Sequence, residues 1–322
     1  MFKENGAFQM PKSPESFKEK LDGMMSVIAQ KLNAEFLELG ETQALLNPDN
    51  AIDMEAFRSS AKTPEKTSTF VDADREKVRK QNIALSAADN RNTQEYYIDK
   101  FGIKDDEHII DNVIEQFKRN NEKKPGFQLE KVITALFYKL LREDFLVMRS
   151  CTYDDYFNGI DNVIVNKKTG DVICAFDEVH DEVGGERQIG KTQKVLKIAQ
   201  DGGAMLKYGM ILKKDGVTGK QKLVKKPIIN IPVFYIGLST DELKSLLSGM
   251  SYDIDGKINQ IEFDIFDKIM ISLEDQIIKL STVKKSNDKP LHDGVKKNIA
   301  IFKESVRQMK KLRVAKKIDI SR

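Results

Sequence analysis

The sequence is poor in the residues that build disulfide frameworks, zinc sites and membrane spans. Its 322 residues include 2 cysteines, 3 histidines and no tryptophan. Cys151 and Cys174 lie at no zinc-ligand spacing, and a chain of this size needs no disulfides to hold a core. The sequence shows no signal peptide and no apolar stretch of about 18 residues. We therefore expect a cytoplasmic protein with free thiols and no membrane partner.

Positive charge is concentrated at the end of the chain. Residues 281–322 carry 13 Lys and Arg against 4 Asp and Glu, a net charge of +9. Because the whole chain has a net charge of only +3, the remainder is mildly acidic, at −6. A basic tail of this kind suits contact with a polyanion such as nucleic acid, although a solvated helix face has the same composition.

Three regions are predicted along the chain. Residues 1–95 form a helical or loosely ordered N-terminal arm, in which Ser13-Pro14 starts a helix and the polar stretch 59–82 is a linker. Residues 96–238 form the core. Residues 239–322 form a helical C-terminal region with the basic tail, opened by a capping box of Ser239 and Glu242.

The core region alternates between helical and strand patterns. Helical spacing is found at 105–120 and 127–144. Three strand patterns follow, FLVMRS, GIDNVIV and DVICAFDEV, and KKTG between the last two predicts a hairpin turn. A helix over 187–206 and two further strands, YGMILK and PIINIPVFYIGL, complete the region. This order predicts an α/β fold with helices packed on a mixed sheet.

Two of the predicted strands carry an acidic residue inside an apolar run. Asp161 lies in GIDNVIV and Asp177 lies in CAFDEV. A carboxylate in a sheet interior loses its hydration at a cost of several kcal/mol unless a cation or hydrogen bonds replace the water. Each acid has an ordinary alternative, because Asp161 can belong to a turn after Asn158-Gly159 and Asp177 can lie at a solvent-exposed strand end.

The order of elements and acids resembles the PD-(D/E)XK nuclease superfamily over residues 126–238. GFQLEKVITALF is similar to the opening of that family's first core helix and matches its glutamate to Glu130. GIDNVIV resembles the strand with the metal-binding aspartate, Asp161, and CAFDEV resembles the strand whose acid is Asp177. YDDYFNGIDNVI also resembles uncharacterised bacterial members. The resemblance implies a restriction-endonuclease-like αβββαβ core with helical N- and C-terminal extensions.

The resemblance also implies a chemistry, which is nuclease hydrolysis of DNA. Asp161, Asp177 and Glu130 would bind Mg²⁺ or Mn²⁺ beside the scissile phosphate. Two or three carboxylates suit this task, because the ion lowers the pKa of water and neutralises charge on the leaving oxygen.

The sequence departs from the family at the lysine that normally follows the second acid. That position, two residues after Asp177, is Val179. Glu178 is a reserve ligand, because the neighbouring register Glu178-Val179-His180 offers a histidine instead of the lysine. Some members of the superfamily carry the lysine on the next helix, where Lys191 and Lys194 lie one helical turn apart. Either of these lysines is expected to offset phosphate charge.

Three other interpretations compete with an active nuclease. One is a catalytically inactive nuclease-fold module that binds nucleic acid or a protein partner. Another is a nucleotide-binding P-loop, since the stretch from Gly185 to Thr192 satisfies G-x-x-x-x-G-K-T, with Lys191 as its lysine. The third is a Ca²⁺ site at 251–262, a stretch that matches an EF-hand loop in part but lacks the first aspartate. The alternative for this stretch is a helix-helix turn in which Gly256 supplies a positive φ.

Overall fold

The computed structural model describes most of the chain, with gaps in the N-terminal half. The described residues are 14–60, 64–89, 115–116, 119–122, 124–180, 186–282 and 290–320. For 14–16, 59–60, 64–69, 86–89, 178–180, 186–189 and 318–320 the backbone alone is described. Most of the predicted helix over 105–120 lies outside these residues.

Helices and strands alternate through the core as the sequence pattern predicts. The helices are α1 (Pro14–Glu38), α2 (Pro64–Asp89), α3 (Pro125–Leu141), α4 (Thr152–Asn158), α5 (Glu186–Gln200), α6 (Thr240–Gly249), α7 (Gln260–Thr282) and α8 (Asp293–Ile320), with a 3₁₀ helix at Met54–Ser60. The strands are β1 (Phe145–Arg149), β2 (Asn162–Asn166), β3 (Val172–His180), β4 (Ala204–Leu206), β5 (Met210–Lys214), β6 (Gln221–Lys225), β7 (Ile228–Ile231) and β8 (Val233–Leu238). None of the helices in the described residues has the length and apolar content needed to cross a membrane.

The central sheet is mixed and has four strands in the order β1-β2-β3-β8. Strand β2 runs antiparallel to β1 and to β3, whereas β8 runs parallel to β3. Because parallel neighbours need a crossover, the chain passes through α5 between β3 and β8. The predicted α/β class and mixed sheet are confirmed. The elements that build this unit follow in the order α3-β1-β2-β3-α5-β8.

The predicted hairpin between β2 and β3 is present, and it depends on glycine. Gly170 has φ +82°, a left-handed conformation that L side chains rarely adopt. A Cβ atom at this position would lie 1.8 Å from the Leu212 carbonyl oxygen. The tight approach of β5 to this turn therefore excludes any larger residue.

The structure differs from the sequence pattern in the extent or type of several elements. The helix predicted over 187–206 ends at Gln200, because Gly202 and Gly203 have φ +110° and +83°. The strand predicted over PIINIPVFYIGL is two strands divided at Pro232, a residue that cannot donate to a ladder; β7 pairs with β4 and β8 joins the central sheet. The predicted linker over 59–82 is largely helix α2.

Aromatic side chains join the sheet to the helices on one of its faces. The Phe176 ring on β3 lies 5.5 Å from Phe137 on α3 and 6.2 Å from Phe302 on α8. Helix α1 contributes Met25 and Ile28, both fully buried, to the same apolar cluster. The core therefore includes parts of the predicted N-terminal arm and C-terminal region.

Helix α8, which contains much of the basic tail, is amphipathic. Its apolar face is buried at Val295, Phe302 and Met309. On the other face Lys310 pairs with Glu274 at 3.0 Å, and Arg313 pairs with Asp267 on the same neighbouring helix, α7. These cations serve helix packing, so the basic composition of this stretch is partly accounted for within the fold.

Candidate functional site

Asp177 is a buried carboxylate held by two lysines from the next helix. Its exposed fraction is 6 %. Lys194 donates to Asp177 Oδ2 at 3.0 Å, and Lys191 pairs with the other carboxylate oxygen, Oδ1. Side chains alternate along a strand, so Asp177 points away from the face on which Phe176 meets α3 and toward α5. The two lysines thus place positive charge beside Asp177, which the uncharged Val179, two residues after it, cannot do.

Gly159 leaves room for the Lys194 side chain next to the start of β2. It ends helix α4 in the left-handed conformation, with φ +63°. A Cβ atom here would lie 3.0 Å from the Lys194 Nζ atom, which also contacts Asp177. The ammonium group therefore lies between β3 and the turn that leads to Asp161.

Glu130, near the start of α3, forms an ion pair with a strand arginine. Arg149 at the end of β1 donates through Nη2 to Glu130 Oε2 at 2.5 Å. Burial raises the pKa of Glu130 to about 7; the charge of Arg149 opposes this rise, and the charge of nearby Asp161 adds to it. Sequence reasoning missed Arg149. The signal that could have pointed to Arg149 is its charge, because it lies at the end of strand β1, in which every residue is buried.

Asp155 and Asp161 come together beside Glu130. Asp155 lies on the short helix α4, and Asp161 lies just before β2 rather than inside it. Burial raises the pKa of Asp155 well above its usual range, and the negative charges of Asp161 and Glu130 raise it further. A side-chain hydrogen bond with Asp161 also raises this pKa. The three residues, named here the acid trio, form an all-oxygen cluster with Arg149 as a nearby cation.

Asp154, the neighbour of Asp155, has a structural role instead. It is fully buried and accepts hydrogen bonds from the backbone N–H groups of Lys207 and Tyr208 at 2.8 and 3.0 Å. Asn158 Nδ2 also donates to it at 2.5 Å. These contacts tie α4 to the segment after β4 and so fix the direction in which Asp155 points. Both aspartates lie on the short helix α4.

The predicted site residues have two sets of side-chain partners, although Asp161 and Asp177 are near neighbours across the sheet, since the Asp161 N–H donates to the Phe176 carbonyl oxygen at 2.9 Å. Glu130 and Asp161 come together with Asp155, whereas Asp177 is engaged by Lys191 and Lys194. The Glu178 side chain lies outside the described residues. Among the residues that the structure describes, no three His, Cys, Asp or Glu side chains stand in the arrangement of a preformed metal cage.

The P-loop spacing does not lie in a loop. Gly185 is outside the described residues, but helix α5 begins at Glu186 and includes Gly190 and Lys191. A phosphate-binding loop needs backbone N–H groups that curve around the phosphate before the helix starts. Lys191 instead pairs with Asp177. This geometry disfavours nucleotide binding.

The EF-hand match is a helix-helix turn whose acids are neutralised by protein cations. Glu262 is fully buried and accepts from Lys139 at 2.5 Å, and Asp255 accepts from Arg142 at 2.6 Å. The predicted positive φ at Gly256 was wrong, since its φ is not positive. The turn favours glycine for space, because a Cβ atom would lie 2.9 Å from the Asp253 side chain.

Comparison of the chain with protein-family models, with curated proteins and with solved structures finds no match.

Proposed function

We propose that the protein is a metal-dependent nuclease with a restriction-endonuclease-like core, which hydrolyses phosphodiester bonds in DNA. Support comes from the order α3-β1-β2-β3-α5-β8 and from a sheet in which β3 and β8 are parallel. The observation that carries the proposal is the pair of lysines on Asp177. The family resemblance requires a cation beside this acid, and α5 provides two.

The acid trio fits a hard divalent cation. Mg²⁺ prefers oxygen ligands and is commonly held by one or two carboxylates plus substrate phosphate oxygens, so a complete protein cage is not required. The raised pKa of Asp155 beside Asp161 and Glu130 reflects negative charge concentrated at this point, which a divalent cation would offset. We assign Asp161 and Asp155 as the principal ligands, with Glu130 assisting and Asp177 as the further ligand that the resemblance implies. A bound Mg²⁺ would lower the pKa of the attacking water and neutralise charge on the leaving oxygen.

The protein's own cations have separate roles in this proposal. Lys191 and Lys194 would bind the oxygens of the scissile phosphate when Asp177 turns toward the metal, since ammonium groups stabilise charge that develops on phosphorus oxygens. Arg149 orients Glu130 through their 2.5 Å ion pair and limits the negative charge of the acid trio. The site thus contains both the anions for a metal and the cations for a phosphate.

Cleavage assays test the proposal. Wild type should nick supercoiled plasmid and shorten labelled oligonucleotides with Mg²⁺ or Mn²⁺, and EDTA should stop both reactions. Asp161→Asn should reduce the rate by at least about 100-fold, since it removes a metal ligand. Asp171→Asn, an exposed aspartate on the adjacent hairpin, is the matched control and should cleave like wild type. Equal cleavage by all three proteins would identify a contaminating nuclease and refute the proposal.

A module that binds nucleic acid without cleaving it is the second candidate. It is favoured by the neutralisation of Asp177, because two lysines already occupy the carboxylate that a metal would use. This candidate predicts nucleic-acid binding by wild type that Asp161→Asn leaves unchanged, with no cleavage under any metal.

A further inference from the structure

Helix α4 has two neighbouring aromatic rings, of which Phe157 is exposed and Tyr153 is half-buried. The rings of Tyr153 and Phe157, four residues apart, have centroids 4.9 Å from each other and planes tilted by 40°. Phe157 keeps 44 % of its surface exposed, and Phe70 on the neighbouring helix α2 keeps 52 %. Large rings at such exposure retain unburied apolar area, in contrast to Phe137 and Phe176, which are fully buried. Phe70, Tyr153 and Phe157 are named here the aromatic platform.

Lysines are interleaved with these rings. The Lys207 Nζ atom lies 3.6 Å from the Phe70 ring centroid and 4.5 Å from that of Tyr153. Lys77 Nζ lies 5.9 Å from the Tyr153 centroid. Asp74 pairs with both lysines, at 2.5 and 3.7 Å, so one carboxylate balances two cations. Rings with lysine ammonium groups between them suit an anionic ligand that has flat faces.

The aromatic platform and the acid trio share one short helix. Tyr153 and Phe157 lie on α4 two residues to either side of Asp155, whose side chain points to Asp161. A helix with its side chains is about 10 Å across, so a strand stacked on the rings would pass within roughly that distance of the acids. That span is between one and two nucleotides of an extended strand at about 7 Å per nucleotide, roughly twice the per-strand rise of duplex DNA.

We infer that the aromatic platform binds the bases of single-stranded nucleic acid and delivers its backbone to the acid trio. Bases in a duplex are stacked on one another and cannot offer their faces to protein rings, whereas unpaired bases can. The delivery step rests on the proposed nuclease function. The binding step stands independently of it, because stacking needs no metal.

Fluorescence anisotropy in EDTA tests the binding step without cleavage. Labelled oligo(dT), oligo(U) and a hairpin duplex are titrated with the full chain. We expect both single strands to bind more tightly than the duplex, and the comparison of dT with U shows whether the strand is DNA or RNA. Phe157→Ala and Phe70→Ala should each weaken single-strand binding about tenfold, within the range for loss of one stacking ring. Ile278→Ala, which removes a 58 % exposed apolar side chain from α7, is the control and should bind like wild type.

The outcomes separate this inference from the proposed function. Loss of binding in both phenylalanine variants with an unchanged thermal midpoint supports the platform, whether or not wild type cleaves. If wild type binds no single strand, prefers the duplex, or binds equally well after both substitutions, the platform is overturned. Cleavage that depends on Asp161 together with unaffected binding in Phe157→Ala would retain the nuclease and reject the platform.

Discussion

Lys194 on helix α5 donates a 3.0 Å hydrogen bond to Asp177 on strand β3, 17 residues earlier in the chain. Lys191, one helical turn before it, pairs with the same carboxylate. The carboxylate is buried, whereas Lys194 keeps 47 % of its side-chain surface exposed. The Lys194 side chain is therefore partly accessible from solvent, while the anion it pairs with is not.

Removal of both lysines should slow cleavage and should also lower the free energy of unfolding, because it leaves the buried Asp177 carboxylate without these two cations. Lys191→Ala/Lys194→Ala is expected to lower kcat about 100-fold or more, the usual loss when a preorganised group for developing charge is removed. Each single variant should lose less, since one lysine remains beside Asp177. Lys197→Ala, an exposed lysine on the same helix, should keep wild-type rates. A double variant with normal kcat would show that these cations only neutralise Asp177.

Glu130 should make the protein less stable as the pH rises. Its pKa in the folded state is about 7, above the ordinary value of 4.5. Between these values the folded state keeps a proton that the unfolded chain has lost, so the free energy of unfolding falls from about pH 4.5 to pH 7, by up to about 3 kcal/mol. Glu130→Gln lacks this proton. The free energy of unfolding is measured with urea at pH 5 and pH 8. Relative to wild type, Glu130→Gln should be more stable at pH 8 than at pH 5. Glu304→Gln, an exposed control, should differ from wild type by the same amount at both pH values. If the stability difference between Glu130→Gln and wild type is the same at pH 5 and pH 8, the raised pKa of Glu130 is contradicted.

Gly159 should resist substitution for two separable reasons. Alanine with φ near +63° costs about 1–2 kcal/mol, and its Cβ atom would also press on Lys194. Gly219 is a matched control, because its φ is +66° and nothing lies within 4 Å of a Cβ atom there. Both Gly→Ala variants should lose similar stability in thermal unfolding, but Gly159→Ala alone should also lose cleavage rate. Equal activities in the two variants would separate Gly159 from the site.

The buried ion pair of Lys139 and Glu262 should be costly to break and cheap to replace. Its side chains are 1 % and 0 % exposed, so Lys139→Met leaves an unpaired carboxylate in the core and should cost about 3–5 kcal/mol. The double variant Lys139→Met/Glu262→Leu should recover most of that loss in urea unfolding. Lys310→Met, which breaks the exposed pair with Glu274, should cost less than about 1 kcal/mol. Failure of the double variant to recover would mean that Lys139 matters chiefly through its 3.0 Å bond to the Ser251 carbonyl.

Local signals in the sequence predicted much of the fold. The capping box of Ser239 and Glu242 is present, as is the turn at Gly170, because each depends on residues within a few positions of one another. Helix α4 was missed, since its seven residues are too few for a periodic pattern and it depends on contacts of Asp154 with a distant segment.

The candidate site was harder to predict than the fold, because it depends on which side chains meet across elements. Alternation along β3 could not decide between Asp177 and Glu178, and the contact of the α5 lysines with Asp177 depends on residues 14 and 17 positions further along the chain. The sequence around Arg149 does not identify its partner Glu130, which lies 19 residues earlier on α3. Asp155 could be grouped with Asp161 only when the short helix between β1 and β2 was known.

Binding of Mn²⁺ is the most direct test of the account, because the central claim is that Asp155 and Asp161 hold a divalent cation beside Glu130. Electron paramagnetic resonance counts free Mn²⁺ while the protein is titrated at pH 8. The account predicts one bound ion per chain, lost in Asp161→Asn, weakened in Asp155→Asn and retained in Asp253→Asn, which changes the turn near Gly256. No bound ion in wild type, or the same binding in Asp161→Asn as in wild type, would contradict it.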